Sequence, residues 1–488
     1  MADVDPAQNR ASRRTAGRNA RRLAAIGSGA VLATGAVGAL VGTVPSAGAA
    51  TTIVVTNTLD MGAGSLRQAL ADANTGDTID LTGLSGAITL TSGQLDITKA
   101  VTITGPGASA LTISGNGASR VFSMDVSLSG GTVTISGLTI TDGAGVTKGG
   151  GVFFNCEGGS GSIVIDSTVV SGNTASGLGG GLYFDRCDGG GSMTLTNTVV
   201  SGNSTTDNGA GGIWFDQGTA LNIVNSTISG NHTDGTNGGG ILFDDGDTLS
   251  VIDSTISGNS AAHGGGGGIS VGYPKTGATI ANSTITGNSA PEGGGVRFRR
   301  GASKVLQSTI SGNTAGSDGD GLYLESYTVV AGGAASAQNQ PGDGLSSQSA
   351  SIGPAVVTLT SSIVAGNADG TDDISGGNSV DAATITSSVI GAVSTITVTD
   401  GGGNHLGVTA PGLAPLAANG GPTQTMALLT GSVAIDAGAN PVPAFTGNEF
   451  DQRGAGFARV SGAAADAGAF EVQAVVPAPI DIAPKFTG

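Results

Sequence analysis

A segment of about 28 residues recurs from Val152 to Asn367, and each copy pairs a glycine-rich apolar run with a motif of the form Ser-Thr-Ile-Ser-Gly-Asn. The closing Asn falls at Asn173, Asn203, Asn231, Asn259, Asn288 and Asn313, at intervals of 30, 28, 28, 29 and 25 residues, and again at Asn367. A fixed period of this size predicts a solenoid, because one unit cannot bury its apolar side alone and must stack on the next. The apolar runs are short and lack helical periodicity, so the stack is built of β coils.

Composition alone would suggest disorder: glycine makes up 89 of 488 residues and charged residues only 11%. The repeat argues otherwise, since Ile, Val, Leu and Phe return at the same places in every copy. The expected core is narrow and continuous along the stack.

The first 49 residues read as a signal peptide. Six arginines between Arg10 and Arg22 precede an apolar Ala/Gly-rich run, Leu23 to Val44, and Ala47-Gly48-Ala49 suits cleavage. A permanent anchor is the alternative, because the run has about twenty residues; Arg21-Arg22 leaves both the Sec and the twin-arginine route open. The expected location is secreted or cell-surface, with no stable membrane span after cleavage. The formal net charge of −17 opposes nucleic acid and anionic membranes as partners. Cys156 and Cys187, the two cysteines, fall on neighbouring coils and are expected to form a disulfide. Ser65 to Asn74 reads as a short amphipathic helix, with Ser65 as N-cap and Leu66, Ala69, Leu70 and Ala73 on one face, suited to cover the open end of the solenoid.

The stretch Gly64-Ser65-Leu66-Arg67-Gln68-Ala69, with Thr56-Asn57-Thr58 before it, resembles the N-terminal region of bacterial surface proteins that carry a Cys-Ser-Leu-Arg-Glu-Ala motif, differing at Gly64 and Gln68. Near the other end, Leu416 to Thr425, Ala434-Ile435-Asp436-Ala437-Gly438, Asp451-Gln452-Arg453-Gly454 and Asp466 to Glu471 resemble the choice-of-anchor Q module. These resemblances imply an all-β protein, a right-handed parallel β-helix of about ten coils with an N-terminal helical cap, secreted or displayed by a bacterium. The expected organisation is a cap and first strands over 50–105, the β-helix over 106–400 with a flexible low-complexity insertion at 327–354, a C-terminal module over 401–471, and a tail over 472–488. The tail lacks the sorting signal that usually follows such a module.

Aligning the copies assigns each column a side. Ile165, Leu195, Ile223, Val251, Ile280 and Val305 form one apolar column, and Val170, Val200, Ile228, Ile256, Ile285 and Ile310 another five residues later. An odd separation cannot keep both on one face of a continuous strand, so the chain must bend between them, at Ser167, Asn197, Asn225, Asp253, Asn282 and Gln307. In the glycine-rich runs, Phe154, Phe184, Phe215 and Phe243 point inward, whereas Phe153, Tyr183 and Trp214 point outward beside Asp185, Asp216 and Asp244.

That outward ledge is the candidate ligand site. Aromatic faces stack on sugars and carboxylates accept hydroxyl hydrogen bonds. Carboxylates one coil apart repel unless a cation or a proton lies between them, which makes calcium a candidate ligand of Asp185, Asp216 and Asp244, although no cofactor is required. Asp369, Asp372 and Asp373 are a weaker calcium candidate. The expected function is a monomeric, non-catalytic scaffold that adheres to an extracellular polysaccharide, a surface glycan, or a protein on a host or neighbouring cell. The alternative is a polysaccharide depolymerase, a pectate-lyase-like lyase or a polygalacturonase-like hydrolase, with Asp185, Asp216 and Asp244 as its carboxylates; the order Asp244-Asp245, His263, Arg297 loosely fits the latter, but the spacing does not bring these residues together. A third reading uses Thr227, Thr255, Thr284 and Thr309, with Ser229, Ser257, Thr286 and Ser311, as a flat hydroxyl array for ice or mineral.

Overall fold

Every letter of the repeated motif has a structural task. In Ser254-Thr255-Ile256-Ser257-Gly258-Asn259, Ile256 is fully buried in the core, while Gly258 (φ 62°) bends the chain and Asn259 turns inward at 0% exposure. The computed structural model describes residues 49–125, 130–156, 159–187, 189–235, 237–326, 354–368 and 372–473. The expected signal peptide, the insertion up to residue 353, Asp369 and the tail from residue 474 lie outside the described residues.

The strands of the solenoid pair in parallel, each with its counterpart one coil on, over about eleven turns against the ten expected. They form a 21-stranded, a 12-stranded and a 6-stranded sheet. The glycine-rich run and the strand after it both belong to the first sheet, and in two coils they merge into single strands, Ile213–Val224 and Ile241–Ile252. The Thr-Ile-Ser strands form the second sheet, and pairs such as His232–Thr233 and Ser260–Ala261 form the third.

Between the first and second sheets the chain bends where the columns require it. Ser167, Asn197, Asn225, Asp253, Asn282 and Gln307 all have φ between 44° and 52°, the left-handed region that Asn and Asp tolerate best. Both predicted apolar columns are fully buried. The inward Phe rings stack, with centroids 4.9, 4.6 and 5.3 Å apart from Phe154 through Phe184 and Phe215 to Phe243. Cys156 and Cys187 form the expected disulfide, their Cα atoms 4.9 Å apart.

The second bend is held by a buried amide ladder. Asn173, Asn203, Asn231, Asn259, Asn288 and Asn313 each donate through Nδ2 to the Oδ1 of the next Asn at 2.9 Å, and Asn367 ends the series on Asp373 Oδ1 at 2.7 Å. Each Oδ1 also accepts a backbone N–H from the coil before it, as Asn259 does from Asn231. At the first bend the hydroxyls of Ser226, Ser254, Ser283, Ser308 and Ser362 likewise receive a backbone N–H of the preceding coil at 3.1–3.2 Å. Irregular backbone is thereby buried without orphaned amides. Asp373 is thus engaged by Asn367 and by the Ala392 amide.

Among the described residues one α-helix occurs, Leu66–Asp72, and none is long and apolar enough to cross a membrane. Ser65 is its N-cap, accepting from Gln68 N at 3.2 Å, and Leu66, Ala69 and Leu70 are buried against the first strands of the core.

The residues after the last coil fold back along the second sheet, largely without regular strands. Thr255 Oγ1 donates to Gln424 O at 2.6 Å, Thr284 Oγ1 to Gln452 Oε1 at 2.6 Å, and Thr309 Oγ1 accepts from Ala469 N at 3.0 Å. The expected flat hydroxyl array is therefore covered at three of its four threonines, which removes it as an ice or mineral surface. The motif residues of this segment bind one another and the solenoid. Arg453 pairs with Asp451 and lies 3.9 and 3.8 Å from the ring centres of Phe457 and Phe470. The buried Arg459 reaches Asn282 of the bend column.

Two outcomes follow. Asn259→Ala removes the acceptor of the Asn231 backbone N–H and of one Asn231 Nδ2 hydrogen and the donor to the Ile228 carbonyl, so chemical denaturation should show a loss of about 2–4 kcal/mol. At Asp253, burial raises the carboxyl from 3.8 to about 6, although the Asn282 amide and Arg459 oppose this. A raised folded-state pKa gives a stabilising contribution that is complete below about 3.8 and lost as pH climbs through about 6. Asp253→Asn keeps an acceptor for Asn282 and matches its column, so it should raise stability at pH 7 by about 1–3 kcal/mol and flatten the profile between pH 4 and 6. A wild-type pH profile that the substitution leaves unchanged would sink this.

Candidate functional site

Alternation along the glycine-rich strands sends Phe153, Tyr183, Trp214 and Leu242 to the side opposite the Phe stack, and pairing places them in one column. Outward from the main core is not exposed to solvent here. Tyr183 is 2%, Trp214 5% and Leu242 5% accessible, and with Ala210 they form a second, small core against which Phe153 and Leu178 pack. The expectation of an open aromatic ledge is thus corrected. The glycine-rich approach lies on the rings instead of leaving them bare: a Cβ on Gly209 would stand 3.2 Å from Trp214 Cε3. Phe153 and Tyr183 stack at 5.7 Å, and Trp214 meets Tyr183 edge-on at 5.7 Å. Only Phe153 is half-buried, and Arg120 and Lys148 lie over its ring at 4.8 and 5.8 Å.

The carboxylates remain at the surface. Asp185, Asp216 and Asp244 are half-buried and occupy the same place on consecutive coils; Asp216 and Asp244 sit between the paired positions Phe215/Phe243 and Gln217/Asp245. Asp185 accepts from Lys148 Nζ at 3.1 Å and from the Arg186 amide at 2.9 Å. Tyr183 Oη lies 3.2 Å from Asp185 Oδ1 and 3.1 Å from Asp216 Oδ2.

One phenol hydrogen cannot serve two ionised carboxylates. Burial, followed by the charge of Asp185, raises the Asp216 carboxyl above its ordinary range, so Asp216 is the member whose surroundings favour a proton. Burial, then Asp216 and Asp185, raise the Tyr183 phenol well above its usual value, which keeps it a hydroxyl. The mutual repulsion that the sequence leaves to a cation or a proton is met by Lys148, the Tyr183 hydroxyl and an acidic Asp216. Among the described residues no group of three or more His, Cys, Asp or Glu is placed to hold a metal ion.

Further along the face, Arg297 stands between Ser270 and Tyr323 in the outward column. It pairs with Glu325 and donates to Asn237 Oδ1 at 3.1 Å, and it is 5% exposed. It is a packed ion pair, not an open substrate contact. Lys148 and the bridging role of the Tyr183 hydroxyl escape sequence reasoning because Lys148 lies outside the strand motif, 37 residues before Asp185.

The burial of Trp214 has a measurable consequence. Trp214→Ala should lower stability by about 3–5 kcal/mol. Trp214→Phe should cost less, because it keeps a ring and removes the buried Nε1, which has no hydrogen-bond partner. A near-neutral Trp214→Ala in urea denaturation would contradict the covered arrangement.

Comparison with known proteins agrees with the fold. The model of the right-handed β-helix region matches residues 85–262 and 227–390. Among solved structures, a pectate lyase, Pel9A, aligns over 87% of this chain and 97% of its own at 16% identity and a TM-score of 0.45. An alginate lyase of family PL6 bound to a trisaccharide aligns over 78% of this chain and 92% of its own at 15% identity and a TM-score of 0.40. No curated protein matches. With more than half of its length matched by that family model, the chain belongs to the right-handed parallel β-helix family.

Proposed function

We propose that this is an exported β-helix whose row of Asp185, Asp216 and Asp244 binds an extracellular glycan without cleaving it. The observation that carries the reading is the recurrence of half-buried carboxylates at one place on three consecutive coils, fixed from below by the Phe stack and from the side by the Tyr183–Trp214 core. Acceptors held in place on a rigid sheet lose little freedom when they meet hydroxyls of an extended polymer. The covered rings cannot stack on sugar, so recognition rests on hydrogen bonds from the row, with Lys148 and Arg186 at its start. The disulfide fits an oxidising, extracytoplasmic location, and the arginine-rich leader read from the sequence fits export. In this reading the choice-of-anchor-like segment acts as a brace on the second sheet, and the Cys-Ser-Leu-Arg-Glu-Ala-like region as the cap.

A second reading has its own support. Two neighbouring carboxylates of which one is pushed toward its acid form are the equipment of a polysaccharide hydrolase, with Asp216 as acid and Asp185 as its partner.

One experiment separates them. The secreted form is applied to a glycan array beside an Asp185→Asn/Asp216→Asn/Asp244→Asn variant, and retained glycans are recovered and sized. Retention reduced at least tenfold in the variant, with glycans intact, is the expected result. Shortened or unsaturated products that vanish with Asp216→Asn would establish the depolymerase instead. Absence of retention, or equal retention by the variant, would overturn the glycan reading.

A further inference from the structure

The third sheet carries an arrangement unrelated to the carboxylate row. After Asn173, Asn203, Asn231 and Asn259 the next residue heads a two-residue strand whose first side chain points to solvent and whose second points inward, as with half-buried His232 and Ser260 against buried Thr233 and Ala261. His232 and Ser260 are direct partners on adjacent coils. His232 Nδ1 is 2.7 Å from Ser260 Oγ, and His232 Nε2 is 2.8 Å from Asp234 Oδ1.

We propose that Ser260 is an activated nucleophile, with His232 as its base and Asp234 as the residue that positions the imidazole, acting on exposed acyl esters. An ionised carboxylate only accepts hydrogen bonds, so Asp234 fixes the proton on Nε2 and leaves the Nδ1 lone pair facing the Ser260 hydroxyl. That polarity is what general-base activation of a serine needs. Here the nitrogens are used in the reverse sense to the usual triad, which the 28-residue coil spacing imposes by placing the serine beside the ring and the carboxylate two residues along its own strand. In the reaction, Ser260 Oγ adds to the ester carbonyl carbon as its proton passes to Nδ1. The ester C–O bond then breaks and the leaving alkoxide takes that proton. Water, deprotonated by the same nitrogen, hydrolyses the acyl-serine to free acid and restores Ser260.

The face is flat and solvent-open, with His232 and Asp234 side chains 46% and 57% exposed, so it suits a small acyl group displayed on a larger molecule. The amides of His232, Ser260 and Ser289 are all bonded within the ladder, to Asn203, Asn231 and Asn259. They are not available to stabilise an oxyanion, so both acylation and deacylation should be slow, and covalent labelling is the more sensitive readout.

The test has internal controls in the same column: Ser289, one coil beyond Ser260, and Ser204, the other neighbour of His232, to which neither ring nitrogen is bonded. The full-length protein is treated with a biotinylated fluorophosphonate and labelled serines are located by peptide mass mapping, with p-nitrophenyl acetate hydrolysis in parallel. Labelling of Ser260 at least tenfold above Ser204 and Ser289 is expected. It should be lost in Ser260→Ala, fall at least tenfold in His232→Ala and severalfold in Asp234→Asn, with melting temperatures little changed because these side chains lie on the solvent side of the sheet, outside the core. Equal labelling of the three serines, or Ser260 labelling indifferent to His232→Ala, would overturn the proposal. Neither outcome depends on glycan retention.

Discussion

The structure depends on a bend that must recur at the same place in every coil with its backbone groups buried. A parallel solenoid closes each turn by burying irregular chain, and unpaired amides there would cost about 1–3 kcal/mol apiece, repeated along the stack. The Asn ladder removes that cost cooperatively. Each side chain bridges its neighbours, so Asn203, for example, donates through Nδ2 to Val170 O of the preceding coil and to Asn231 Oδ1 of the next. The series begins at the Gly143 amide and finishes on Asp373, where a carboxylate, an acceptor only, is the chemically suitable terminus.

With the bends fixed, the coil presents three faces of different fate. The second sheet gives its hydroxyls to the chain's own C-terminal segment. The glycine-rich part of the first sheet is half covered by the loops that lead into it, leaving the carboxylate row at the margin. The third sheet, only two residues wide in most coils, stays open. The binding and the chemistry proposed for this solenoid accordingly use the margin of the first sheet and the third sheet.

Much of this was legible in the sequence because a repeat reports its constraints several times over. Five residues between two apolar columns demand a bend, and the residues at that bend are the ones with positive φ. The cap helix announced itself through Ser65 and its apolar face, and the disulfide through the position of Cys156 and Cys187. What periodicity could not convey is what lies above an outward-facing residue. Alternation fixes which side of a strand Trp214 occupies, but its exposure is decided by the path of Gly209 and Ala210 in the preceding loop, which varies in length from coil to coil. The third sheet was missed for a related reason: two residues are too few for alternation to register, although a Thr, Ser or His after each ladder Asn from Asn173 to Asn313 was a signal of it.

The charges follow the same architecture. On a helix, opposite charges help when they are three or four residues apart; here the natural partner is one coil away. Lys275 meets Asp247 and Arg297 meets Glu325, each 28 residues apart, so single charges report the stacking register. Where the Asp185, Asp216 and Asp244 columns place acids in succession, no such alternation is available, and compensation comes from outside the column, through Lys148 and the Tyr183 hydroxyl. In this like-charge row, which departs from the pairing used elsewhere on the same face, burial and then the charge of Asp185 raise the proton affinity of Asp216. That electrostatic tension, more than the aromatic residues beside it, is what distinguishes the row from the rest of the solenoid surface.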